Sequence, residues 1–319
     1  MSDMLSHWAI FEDCRKIAAL DEKFDAGLTE VIEKQLEYAR LGTVSRGGNR
    51  WMQPIMARAK AVWDQPEAHP EQDRKLAYAL GGLPHQAIDS VIKPYRGEVV
   101  ERNEQLPEPL ENAHRWLYGY HDAFLFGRVF NGGKTPDKQF NEFLLARNDH
   151  PLGQSIEDYA RSMVLRALQG IHTLAPNIED MDGWLDRVVG VIQPVTVDIQ
   201  RLIEGHVSPD PAKAEQFRIE EEFYREADPA IQLAERVRAG ETPTQDEIEA
   251  AIDVDENISI YGRSLAVGIH YMREGARFWR GETDTIDTPN YDTSEFWTRQ
   301  AELGRVRKQD VTAGGAARK

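Results

Sequence analysis

Cysteine is almost absent from this chain. Cys14 is the only one in 319 residues, which excludes an intramolecular disulfide framework and a cysteine-based zinc cluster. No apolar run approaches the ~18 residues of a membrane-spanning helix. Neither a G-x-S-x-G elbow nor a glycine-rich dinucleotide fingerprint is present, so covalent serine chemistry and dinucleotide binding have no motif to rest on. The opening residues, MSDMLSHWAIFEDCRK, lack a basic n-region and a long apolar stretch, which predicts no secretory signal and a cytoplasmic setting. Positive charge is also short: 38 Lys and Arg face 54 Asp and Glu, a net charge of −16. That field opposes a nucleic-acid partner and favours divalent cations. Strand-like alternation is confined to Val195–Ile199, which sits inside a longer helical pattern.

What is present is helical periodicity, with apolar residues in steps of three and four. The fold class expected is all-α, an irregular multi-helix bundle. From Phe11 to Arg40 the apolar series Ile17, Leu20, Phe24, Leu28 and Val31 predicts one long helix, followed by a loop over Leu41–Asn49. Asn49 is positioned to cap a helix through Trp63 that contains Pro54, and Gln72–Leu80 reads as a short one. Further helices are expected after Pro107 and Pro109 as far as Asn131, over Ile156–His172 and over Trp184–Ile203. Pro209–Glu226 reads as a solvated surface helix. Thr244 and Glu247 form a T-x-x-E box ahead of a helix to Ile252, and Ser259–Trp279 reads as the last long helix. The expected division is a metal-site helical domain at 1–239, a C-terminal helical segment packed on it at 240–303, and a disordered tail at 304–319.

The stretch GGLPHQAIDSVIKPY, Gly81–Tyr95, concentrates the chemistry. Its two glycines are expected to break the preceding helix. Pro84 suits the first position of a new one, and Pro94 its end. His85 and Asp89 are four apart, so on a helix they share a face and can share a metal ion. The alternative is an aspartate that merely hydrogen-bonds a half-buried histidine. His121-Asp122 lies in the apolar segment LYGYHDAFLFGRVF, where a buried charged group needs a partner. His114 falls on nearly the same face as His121. His7 precedes Glu12 and Asp13. His270 and Glu274 form another i,i+4 pair, read as a surface salt-bridge face with Arg273 and Arg277.

Imidazole and carboxylate ligands suit zinc first, with iron or manganese as alternatives. His7, His85, Asp89, His121 and Asp122 are therefore expected to converge around a divalent metal, with His114 nearby. Such a centre supplies hydroxide at neutral pH. The reaction class expected is hydrolysis of a small-molecule phosphoester. Asp89 or Asp122, if not a ligand, would be the general base, and Lys93, one turn beyond Asp89, would contact a substrate phosphate, the alternative being a surface pair with Asp89.

These residues resemble the bacterial zinc-dependent phospholipase C-like family. That family shows an early Ser/Thr-His-aromatic segment, here Ser6-His7-Trp8. It also shows a G-x-x-x-H-x-x-x-D-x-x-x-H-P-Y helix, matched here by Gly81, His85, Asp89, Pro94 and Tyr95. The resemblance implies an all-α fold, a metal held by His7, His85 and Asp89, and a later histidine and acid from His121 and Asp122. It covers about the first 130 residues. Lys93 replaces the family's next histidine, and the Gly-x-x-Pro-Asp segment appears as Leu41–Arg46 without its acid. Two other readings remain open: an HD-type phosphohydrolase built on His121-Asp122, and a non-catalytic acidic helical scaffold.

Overall fold

A computed structural model describes residues 4–44, 49–102, 117, 120–122, 124–125, 128–129, 218–253 and 258–287. Among them are helices and no strand, so the chain has an all-α, multi-helix fold. Helix α1 (Met4–Ala18) is followed by α2 (Ala26–Lys34), α3 (Leu36–Val44) and α4 (Asn49–Ala61). A 3-10 turn (Pro66–Ala68) leads into α5 (His69–Arg102). Beyond the middle of the chain come a π turn (Ile219–Phe223), α6 (Pro229–Arg238), α7 (Gln245–Ile252) and α8 (Ile260–Arg280). No helix among the described residues is long and apolar enough to cross a membrane.

Helix α5 is the axis. It has 34 residues and is therefore about 51 Å long. Helices α3 and α8 make its most extensive contacts, and α4, α1 and α2 also lie against it. The sequence predicted a break at Gly81-Gly82 and a stop at Pro94, but the helix runs through both, with Pro84 and Pro94 inside it. A buried glycine costs a helix about 1 kcal/mol, a loss that tertiary packing on several sides overrides. The glycines serve close approach instead. A Cβ on Gly81 would lie 1.8 Å from the carbonyl oxygen of Ala39, and one on Gly42 would lie 2.0 Å from that of Tyr78. Helices α3 and α5 thus touch backbone to backbone.

The single helix expected over Phe11–Arg40 is three helices. Asp25 ends the intervening turn by accepting hydrogen bonds from the amides of Gly27 and Leu28, the usual means of starting a helix afresh. The capping box at Thr244 and Glu247 forms as expected, and Ser259 caps α8 by accepting from the Gly262 amide. The acidic segment before Glu226 is not wholly a solvated surface: Ile219 and Phe223 are buried there. The helices expected over 156–172 and 184–203 and the tail at 304–319 lie outside the described residues, as does most of the helix expected after Pro107.

Helix α8 is held by a buried ion pair. Arg273 Nε donates to Asp21 Oδ2 at 2.6 Å, and its terminal nitrogens reach Glu249. The clip joins α8 to the α1–α2 turn and to α7. His270 is exposed, and Glu274 pairs with Arg277 at 2.7 Å. Arg273, expected on that surface face, turns inward.

Candidate metal centre

Three of the sequence-predicted residues meet where α1 crosses α5. His7 comes from the first turns of α1, and His85 and Asp89 from successive turns of α5. One ligand atom from each lies within 4.8 Å of the others. His7 Nε2 stands 3.3 Å from Asp89 Oδ1, and His85 Nε2 stands 3.3 Å from Asp89 Oδ2. The carboxylate bridges two rings whose centroids are 4.6 Å apart. The histidine side chains are 2% and 4% exposed and Asp89 18%, so the carboxylate edge is the open side of the cluster.

Helix α3 fixes the chemistry of His85. The carbonyl oxygen of Thr43 lies 2.7 Å from His85 Nδ1. A carbonyl only accepts, so Nδ1 carries a proton, which directs Nε2 to the cluster as the ring atom that would bind a metal. His85 Nε2 faces Asp89 Oδ2, where a shared cation or proton satisfies both atoms. The Thr43 hydroxyl also donates to the His7 carbonyl at 3.5 Å. Thr43 is presented this closely because Gly42 and Gly81 let α3 and α5 touch.

Asp122 supports the cluster from outside. Its Oδ1 accepts from the Ser6 amide at 2.8 Å and the Ser6 hydroxyl at 3.0 Å. Amides in a helix's first turn have no intrahelical acceptor, and negative charge there is favourable. Asp122 therefore anchors the start of α1 one residue before His7. His121 is fully buried and stacks on Phe223, with centroids 3.7 Å apart and planes 4° apart, and Tyr95 lies on it at 6.0 Å. Neither His121 nor Asp122 belongs to the group of three, and His114 lies outside the described residues. The two acids that follow His7 are engaged elsewhere: Glu12 with Arg15, Arg40 and Trp8, and Asp13 with Tyr261 and Arg238.

Burial drives the His7 pKa down to about 4; Asp89 pulls against that shift, while His85 and Lys93 add to it. Burial would raise the Asp89 carboxyl, but His85, Lys93 and the hydrogen bonds from both histidines outweigh it and hold the group well below the usual carboxylate range. At neutral pH the cluster thus offers an uncharged imidazole and an ionised carboxylate, the forms that metal ions require. Asp89 Oδ1 is buried, and its polar neighbour is His7 Nε2 at 3.3 Å. Lys93 Nζ contacts Asp89 Oδ2. The donor types and their convergence fit a metal ion.

Comparison of the chain with known protein families, with curated protein sequences and with solved structures gives no match.

Thr43 and Ser6 are the supports that sequence reasoning missed. Ser6 lay inside the Ser6-His7-Trp8 segment and was visible there as a neighbour. Thr43 fell in a stretch read as loop, and no local pattern marks a residue whose role depends on a backbone carbonyl. Phe223 was hidden in the acidic run Glu220–Glu222.

Proposed function

We propose that the chain is a metal-dependent hydrolase acting on a phosphate ester, with His7, His85 and Asp89 holding the ion. The observation that carries this reading is the three-residue cluster itself: two imidazoles and a carboxylate with ligand atoms within 4.8 Å, opening on one side. A bound zinc ion supplies a water ionised near neutral pH and a charge that polarises a phosphoryl oxygen. The chain's own contribution is orientation. Thr43 holds the His85 tautomer, and Asp122, through Ser6, holds the turn that carries His7. The nearly buried histidines exclude bulk water from one side, while the Asp89 edge admits the reactants. Zinc is assigned first from the donor set, and the likeness to the phospholipase C-like family points the same way.

The experiment is metal analysis of the purified protein, followed by assay with zinc, manganese or iron on a panel of phosphomonoesters and phosphodiesters. Bound metal with turnover of at least one ester class is the expected result. Metal-free protein that stays inactive with all three ions would leave the non-catalytic scaffold in its place.

A further inference from the structure

We propose that Lys93 is an internal counter-cation that holds Asp89 in the metal-free protein, yields it to an arriving divalent ion, and is thereby turned out to meet an anionic substrate. The inference rests on the metal-centre reading above and adds a regulating element to it. Lys93 is one helical turn past Asp89 on α5, and its ammonium contacts Asp89 Oδ2, the oxygen that also faces His85 Nε2 at 3.3 Å. An ammonium has three donors and no acceptor, so it occupies the electron pairs that a metal ion needs. The pocket behind that oxygen is walled by two nearly buried imidazoles. A single and a double positive charge crowded on one carboxylate in so dry a place repel strongly. One of them has to leave, and only the lysine has a way out: its side chain is 33% exposed, and its four-carbon stem rotates freely. Exchange leaves the carboxylate neutralised in both states. It also puts an ammonium at the open edge only when the ion is in place, so phosphate binding and metal binding become coupled.

The test is calorimetric titration of zinc chloride into four proteins: wild type, Lys93→Met, Lys93→Arg and Lys75→Met. Lys75 is on the same helix 18 residues earlier, about 27 Å away, which is several screening lengths at physiological salt. It controls for the general loss of one positive charge. Lys93→Met should bind zinc at least about tenfold more tightly than wild type, while Lys93→Arg and Lys75→Met stay near the wild-type affinity. Lys93→Met binding no tighter than wild type overturns the inference, and zinc uptake by the wild type would then leave the metal centre standing. If neither protein takes zinc, both readings fall. In zinc-loaded wild type, reductive methylation of Lys93 should also outpace that in the apo protein; an unchanged or slower rate contradicts the exchange.

Discussion

Alanine at Gly81 adds a single methyl group at the α3–α5 crossing, and two physical effects oppose each other there. Helix propensity alone favours the change by about 1 kcal/mol. Packing opposes it, because the new Cβ would sit 1.8 Å from the Ala39 carbonyl oxygen, whereas carbon and oxygen approach only to about 3.3 Å. The obstacle is backbone, so no rotamer change relieves it, and the helices must part by about 1.5 Å. Overpacking of that kind costs about 1–3 kcal/mol or more. The parting also stretches the Thr43–His85 contact, now 2.7 Å, out of hydrogen-bonding range, a further loss of about 1 kcal/mol. The expected net effect is destabilisation by about 2 kcal/mol, read from urea unfolding as a lower midpoint at unchanged slope, together with weaker zinc binding. A Gly81→Ala protein as stable as wild type, or more stable, would refute the crossing. Gly82→Ala is the internal comparison. Its Cβ meets the Met52 thioether at 2.4 Å, a flexible side chain that can move aside, so its loss should be smaller.

Asp122→Ala should weaken zinc binding several-fold while leaving the stoichiometry unchanged, because Asp122 acts through Ser6; loss of the ion altogether would make it a ligand. Asp21→Ala leaves Arg273 without its buried partner and should cost about 3 kcal/mol in chemical unfolding; a change below about 0.5 kcal/mol would contradict the buried clip. The Glu249 carboxyl is subject to burial, which raises it, but Arg273, Lys23 and Gln245 bring it down to about 2. A depressed carboxyl gives stability that is full above its unfolded pKa and is lost as pH falls through the folded one, here from about 4.5 towards 2. Glu249→Gln should therefore lower stability at pH 7 and flatten the acid limb in that window, and an unaltered limb would count against the contact.

The all-α fold was legible because periodicity is a local property that each helix carries by itself. The capping box at Thr244 and the long helix after Ser259 are written in adjacent residues, and they form where they were expected. Gly81 and Gly82 were misread because glycines that end an exposed helix can allow close packing in a buried one, and what they pack against, Ala39 of α3 and Met52 of α4, is distant in sequence; Pro84 and Pro94 were misread as a start and a stop but lie inside the helix. The His85–Asp89 pair was visible through its spacing of four. That His7 joins it depends on how α1 crosses α5, which spacing does not encode; the Ser6-His7-Trp8 likeness pointed to it. His121 was singled out because polar residues in apolar helices need partners, but an aromatic stack with Phe223 and Tyr95 surrounds it. Local sequence does not distinguish that environment from a metal's.

The most direct measurement is equilibrium dialysis against zinc, followed by metal analysis of wild type and His85→Ala at neutral pH. The three-ligand cluster predicts about one ion per wild-type chain and a steep loss in the variant, since one of only three protein donors disappears. The same metal content in both proteins, or a wild type that retains none, would contradict it.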